Sequence, residues 1–180
     1  MNDHGVITEP GTIVFRRTLP GPIERVWAYL TESEKRGKWF AAGETELKAG
    51  GKVEFHFLHK ILSHEPTPER FKDMENGVSF EARVVECDPP RRLAYTWPTS
   101  NGGDNSEVTF ELTPQDDRVL LVLTHRKLDP DNMTGTAAGW QSHLGILEDV
   151  LNDQPPRGFW TTHAKAEADY KRMIADSDHS

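Results

Sequence analysis

The chain has 180 residues, 36% of them apolar, with 8 Phe and 5 Trp, enough to bury the core of one domain but leaving little room for a second. Asp and Glu outnumber Lys and Arg by 29 to 21, a net charge of −8, and no local basic patch offsets this, so neither a nucleic acid nor a membrane surface is an expected partner. Cys87 is the single cysteine, which excludes an intramolecular disulfide and fits the cytoplasm. No leader pattern and no run near ~20 apolar residues is present, so neither secretion nor membrane insertion is expected.

Residues 1–11 contain Gly5, Pro10 and Gly11 without periodicity and read as a flexible end, as do the small polar residues after Ile174. Residues 12–19 read as a strand with Ile13, Phe15 and Leu19 on one face and Arg17 as that face's discordant member. Leu19-Pro20-Gly21-Pro22 ends it, and Pro22 suits the first turn of a helix through Val26, Trp27 and Leu30. A second helix is placed at 33–39, capped by Thr31 or Ser33, with Glu34 in its first turn and the aromatic pair Trp39 and Phe40 at its end.

From residue 44 to 125 the period becomes two. Val53, Phe55 and Phe57 alternate with polar residues, as do Val78, Phe80, Ala82 and Val84, then Leu93, Tyr95 and Trp97, then Val108, Phe110 and Leu112. Asp88-Pro89-Pro90 and Asn101-Gly102-Gly103-Asp104 supply turns. The pattern predicts an antiparallel meander with one buried face. Val119 to Leu123 is apolar on both faces, which places that strand centrally or under cover on both sides. Residues 58–76 have two prolines and no clean period and read as a long excursion between strands. Ala137, Trp140, Leu144, Leu147 and Leu151 recur at helical intervals and predict a helix over 133–151. A second helical stretch, 160–174, shows only a thin stripe of Trp160, Ala164, Ala168 and Ile174, which puts it on the outside. The organisation read from this is a flexible N-terminus at 1–11, an α+β domain at 12–153 and a helical extension at 154–180.

A one-sided sheet holding a long helix leaves room between the layers, where small molecules bind. Phe55, Phe57, Phe80, Tyr95, Trp97, Phe110 and Trp140 all fall on inward faces, and Trp39 joins them as a candidate wall residue, although inward aromatics are more commonly plain core. His125 shares the parity of Leu121 and Leu123, and His143 lies one turn from Leu147, so either imidazole can reach such a cavity; a hydrogen-bonded structural role is the commoner fate of a buried histidine. Tyr95, Trp97 and His125 together are expected to give the wall its polar tips. His56, His59 and His64 match no zinc spacing and read as solvated loop residues, so no metal site is assigned. Gly50-Gly51 is followed by neither Lys-Ser nor Lys-Thr, and no nucleophile elbow is present, so no catalytic residue, nucleotide hydrolysis or ester hydrolysis is expected, and no cofactor.

Several segments in order carry a resemblance: Pro22-Ile23-Glu24-Arg25-Val26-Trp27, Trp39-Phe40, Gly50-Gly51, Pro89-Pro90-Arg91-Arg92-Leu93-Ala94-Tyr95-Thr96-Trp97, Ser106-Glu107-Val108-Thr109-Phe110-Glu111-Leu112, Leu121-Val122-Leu123-Thr124-His125 and Gly139-Trp140. Together, over about 12–151, the chain resembles the Activator of Heat Shock Protein 90 ATPase homologue family of the START-like (SRPBCC) superfamily. The resemblance implies a helix-grip fold with a hydrophobic cavity between sheet and C-terminal helix. Residues 58–76 are longer than the family's compact hairpin, and the stretch through Trp160 lies beyond its pattern. Three readings follow, in this order: a binding module for an apolar or aromatic small molecule, an enzyme acting on an aromatic or polyketide-like substrate with His125 or His143 as acid or base, and a cochaperone-like interaction module with a chaperone partner. A homodimer stays open. The cochaperone that gives the family its name carries a second domain that this chain has no room for, so a role in the stress response is inherited only through the name.

Overall fold

Alternating apolar and polar residues from Lys52 to Arg126 form five strands, and two more precede them in the computed structural model, which describes residues 3–99 and 106–178. In chain order the elements are β1 (Val6–Glu9), β2 (Thr12–Pro20), α1 (Ile23–Thr31), α2 (Ser33–Arg36), β3 (Lys52–Phe57), β4 (Val78–Asp88), β5 (Arg92–Trp97), β6 (Ser106–Gln115), β7 (Arg118–Arg126), α3 (Pro130–Leu151) and α4 (Phe159–Asp178). The strands form one antiparallel sheet in the order β1-β2-β7-β6-β5-β4-β3. The Asn101 to Asp104 turn lies outside the described residues.

The inward faces follow the alternation. Ile13, Phe15 and Leu19 of β2, Leu93 and Tyr95 of β5, Val108, Phe110 and Leu112 of β6, and Val119, Leu121 and Leu123 of β7 are all buried. β7 sits inside the sheet, and its outward Leu120 and Val122 are half-buried, which accounts for its doubly apolar pattern. Arg17, the discordant residue of β2, is buried because its Nε lies 2.9 Å from Glu148 Oε1 on α3 and its Nη2 donates to the Asp3 carbonyl at 2.6 Å.

Four expectations are corrected. The described part of 1–11 is not loose chain: β1 pairs with β2, Gly11 turns between them at φ +82, and the Gly5 amide donates to Tyr170 Oη at 2.6 Å. A strand exposed on both faces has no apolar alternation to read. The second helix stops at Arg36, and the Ser33 hydroxyl, instead of capping it, accepts from the Gly43 amide at 2.8 Å. The 58–76 excursion contains two 3-10 turns, His59–Ile61 and Glu69–Met74, and docks on α4: the Phe159 amide donates to Ser63 Oγ, the Thr161 amide and hydroxyl donate to Glu65, and Arg70 grips Glu167. Lastly, α4 is no outer ornament. Its buried side is Phe159, Trp160, His163, Ala166 and Tyr170, whereas Ala164 and Ala168 are exposed. With α4 on one side and the sheet on the other, α3 buries Ala138, Ser142, Gly145 and Ile146 in addition to its Trp140, Leu144 and Leu147 stripe.

Candidate functional site

Trp39 and Phe40 follow α2, and the two rings part company. Trp39 is fully buried, with its indole N–H donating to the Tyr29 carbonyl at 2.7 Å. Phe40 turns into the space between sheet and α3, where it stacks on Trp140 at 5.0 Å and on Trp97 at 5.8 Å and meets Phe57 edge-on at 4.9 Å. Around it lies a cavity of about 270 Å³. Phe57, Val78, Phe80 and Trp97 form its sheet wall, Gly135, Thr136, Gly139, Trp140 and His143 its helix wall, and His59 and Met74 of the excursion close it. The size lies just below the ~300–1,000 Å³ usual for small-molecule sites, and the mainly aromatic wall with few polar groups is of the usual kind.

Of the ten candidates read from the sequence, Phe57, Phe80, Trp97, Trp140 and His143 line this cavity. Phe55, Tyr95, Phe110, Trp39 and His125 do not. Phe55 lies under the guanidinium of Arg36, whose Cζ is 4.7 Å from the ring centroid. Tyr95 packs between Phe55 and Phe110, and burial pushes its phenol well above the ordinary range. These five are core. The expected trio of Tyr95, Trp97 and His125 therefore contributes only Trp97 to the wall.

His125 is occupied at both nitrogens. Trp140 Nε1–H donates to Nδ1 at 2.9 Å, so the proton must sit on Nε2, which faces Ser106 Oγ at 2.8 Å; Ser106 in turn donates to the Trp97 carbonyl at 3.1 Å. Burial lowers the pKa of His125 to about 3, so it is neutral. It has no lone pair or proton left for a ligand.

His143 differs. Its Nδ1 donates to the Trp39 carbonyl at 2.8 Å, which leaves Nε2 as an acceptor without a protein partner among the described residues. Burial, and then the neighbouring His59, bring its pKa down to about 3. His59 lies 5.5 Å away ring to ring, buried rather than solvated as its loop position suggested; burial and then His163 lower its pKa to about 4, and its Nδ1 is buried with no partner. His56 and His64 do stay exposed.

A second chamber, also about 270 Å³, lies between α4 and the excursion, walled by Arg70, Phe71, Phe159, Trp160, His163 and Glu167. It shares His59, Met74, Gly135, Gly139 and His143 with the first. Gly135 and Gly139 stand one turn apart in the interior of α3, and a Cβ on either would meet no atom within 4 Å. Each glycine costs the helix about 1 kcal/mol relative to alanine, and no close-packed neighbour requires it. Phe40, His59 and the two glycines were the residues a linear reading missed. Phe40 was distinguishable from Trp39 by nothing local, while glycines one turn apart inside an apolar helix were a readable signal.

A seven-stranded antiparallel sheet, counted among the described residues, closed by a long C-terminal helix, is the helix-grip arrangement. The chain belongs to the family described as Activator of Hsp90 ATPase homolog 1-like protein, whose model matches residues 20–152. A solution NMR structure of a Bordetella parapertussis protein, encoded by gene BPP1335, is 43% identical, with 94% of this chain and 90% of that one covered at a TM-score of 0.83. CalU16 from Micromonospora echinospora is 20% identical over 91% of this chain and 88% of its own, with a TM-score of 0.67. DynU16, a protein of the dynemicin biosynthetic locus, is 18% identical over 83% of this chain and 50% of its own, with a TM-score of 0.63. The likeness to the last two is one of fold. Among curated proteins none matches the sequence significantly. No helix among the described residues is long and apolar enough to cross a membrane.

Proposed function

We propose that this protein binds an apolar, aromatic small molecule in the cavity between the sheet and α3. The observation that carries the reading is the wall itself: five aromatic rings from four separate elements and the segment after α2 converge on one space, with His143 Nε2 left over as an acceptor to orient what enters. Such a surface offers stacking partners to a flat ring and little to a charged one. Binding is favoured over catalysis because a buried imidazole with a pKa of about 3 is a feeble base at neutral pH, and because His125, the other candidate acid or base, is consumed by its own hydrogen bonds.

The test is intact-complex mass spectrometry of protein purified from its own host, followed by titration of the stripped protein with the released compound. Recovery of an aromatic or apolar molecule that rebinds saturably with a 1:1 stoichiometry is the expected result. A protein that retains nothing, and whose tryptophan fluorescence answers none of a panel of apolar aromatic compounds, would remove the reading.

A further inference from the structure

Taking the binding reading above as its basis, we infer that the chamber between α4 and the 59–74 segment is a second ligand subsite, which receives the hydroxyl-bearing aromatic end of a ligand whose apolar end lies in the first chamber. Three independent observations meet there. The chambers share one wall, and on it Gly135 and Gly139 leave open space where any other residue would project a side chain. Polar atoms on residues that wall the second chamber are unused: Trp160 Nε1 and His59 Nδ1 are buried with no hydrogen-bond partner, and His143 Nε2 has none among the described residues. Buried polar atoms are nearly always paired, so orphans gathered around one space point to a missing partner. Finally, the far wall is aromatic, with Phe71 stacked on Trp160 at 4.8 Å.

The donor and acceptor inventory narrows the group. Trp160 Nε1 can only donate and His143 Nε2, with Nδ1 donating to a carbonyl, can only accept, and a hydroxyl can meet the first as acceptor or the second as donor. The arginine on the chamber wall offers a carboxylate little, because the Arg70 side chain is exposed and its guanidinium is already held by both oxygens of Glu167 at 2.7 and 3.1 Å. Burial keeps the histidines at the junction uncharged at neutral pH, so they offer an anion no compensation either. The ligand class is therefore a neutral phenol with at least two ring-sized parts, one per chamber.

The test is a tryptophan-fluorescence titration of the full-length protein at pH 7 with three probes: biphenyl, 4-phenylphenol and biphenyl-4-carboxylate. The phenol should bind three- to tenfold more tightly than biphenyl, the span of one or two net neutral hydrogen bonds, and the carboxylate at least tenfold more weakly than the phenol. Trp160→Phe keeps an aromatic, though smaller, ring and removes the N–H, and should shrink the phenol's advantage over biphenyl to less than twofold. Gly139→Ala should raise the melting temperature, since a helix interior gains and nothing is struck, yet weaken 4-phenylphenol at least threefold. Equal affinities for biphenyl and 4-phenylphenol, unmoved by either substitution, would overturn the second subsite and leave the first cavity standing. Failure of all three probes to bind would overturn both.

Discussion

The indole N–H of Trp140 donates to Nδ1 of His125 across 2.9 Å, and that bond joins α3 to β7, while the other side of the same imidazole reaches β6 and, through Ser106, the Trp97 carbonyl of β5. Trp140→Phe would keep a smaller aromatic ring but orphan a buried nitrogen, which alone costs about 1–3 kcal/mol. Trp140→Ala would add a cavity and cost about 3–5 kcal/mol. Urea denaturation at pH 7 checks both. An alanine variant within ~0.5 kcal/mol of the parent, the range of ordinary surface changes, would mean that α3 is not docked through this residue.

Buried histidines set an acid sensitivity, and His163, whose pKa burial also lowers, adds to it in the same direction. His59, His125 and His143 have pKa values near 4, 3 and 3 against an ordinary 6.5. Below pH 6.5 the unfolded chain takes up protons that the folded one refuses, so stability is complete above that pH and is lost as pH falls toward 4. Each histidine contributes a slope of up to about 1.4 kcal/mol per pH unit. Denaturation midpoints measured at pH 7 and pH 5 should therefore differ clearly, and His59→Gln should flatten the dependence by one proton's worth. Coincident midpoints at the two pH values would contradict the burial of these rings.

The sheet was legible because strand alternation is local: the parity of β3, β5, β6 and β7 predicted which side chains face inward, and the structure has them there. The same parity could not separate Trp97, at the cavity, from Tyr95, two residues away and packed between Phe55 and Phe110, because both face inward and only depth differs. Nor could it see His59. A histidine among prolines and charges reads as solvated until α4, some hundred residues later, folds over it. The resemblance covered about 12–151 and the family model matches 20–152; the second chamber depends on residues beyond both spans and was illegible for that reason.

Arg36 is 1% exposed and has no carboxylate partner in the hydrogen bonds it makes. Its fork donates to the carbonyls of Ala41, Gly43 and Glu54 at 2.7, 2.9 and 2.6 Å and to Thr45 Oγ1 at 2.8 Å, while its plane covers Phe55. The arrangement pins the segment between α2 and β3, from which Phe40 enters the cavity. Lysine cannot reproduce a planar fork, so Arg36→Lys should cost more than about 2 kcal/mol, given ~1.5–3 kcal/mol for a hydrogen bond to a charged group, and should weaken binding of an aromatic probe. A variant with parental stability and affinity would show that the clamp is ornamental.

The last prediction concerns α4, which the family match does not reach. Phe159, Trp160 and Tyr170 are buried against α3 and the excursion, and Tyr170 Oη donates to Gln141 Oε1 at 2.6 Å while accepting from the Gly5 amide. Burial of each large side chain contributes roughly 1.5–3 kcal/mol, against a total stability of ~5–15 kcal/mol for an ordinary domain. Ending the chain at residue 153 would also remove the Phe159 ring that packs on His143 at 4.8 Å and cut the tie from Tyr170 to the Gly5 amide beside the N-terminal strand. The truncated protein should lose its near-ultraviolet circular dichroism and elute as aggregate in size-exclusion chromatography, even though it retains the whole family-matched span. A monomeric truncation with a cooperative melt within about 5 °C of the parent, a shift worth ~1–2 kcal/mol in a chain of this size, would instead make 1–153 self-sufficient and α4 a dispensable addition.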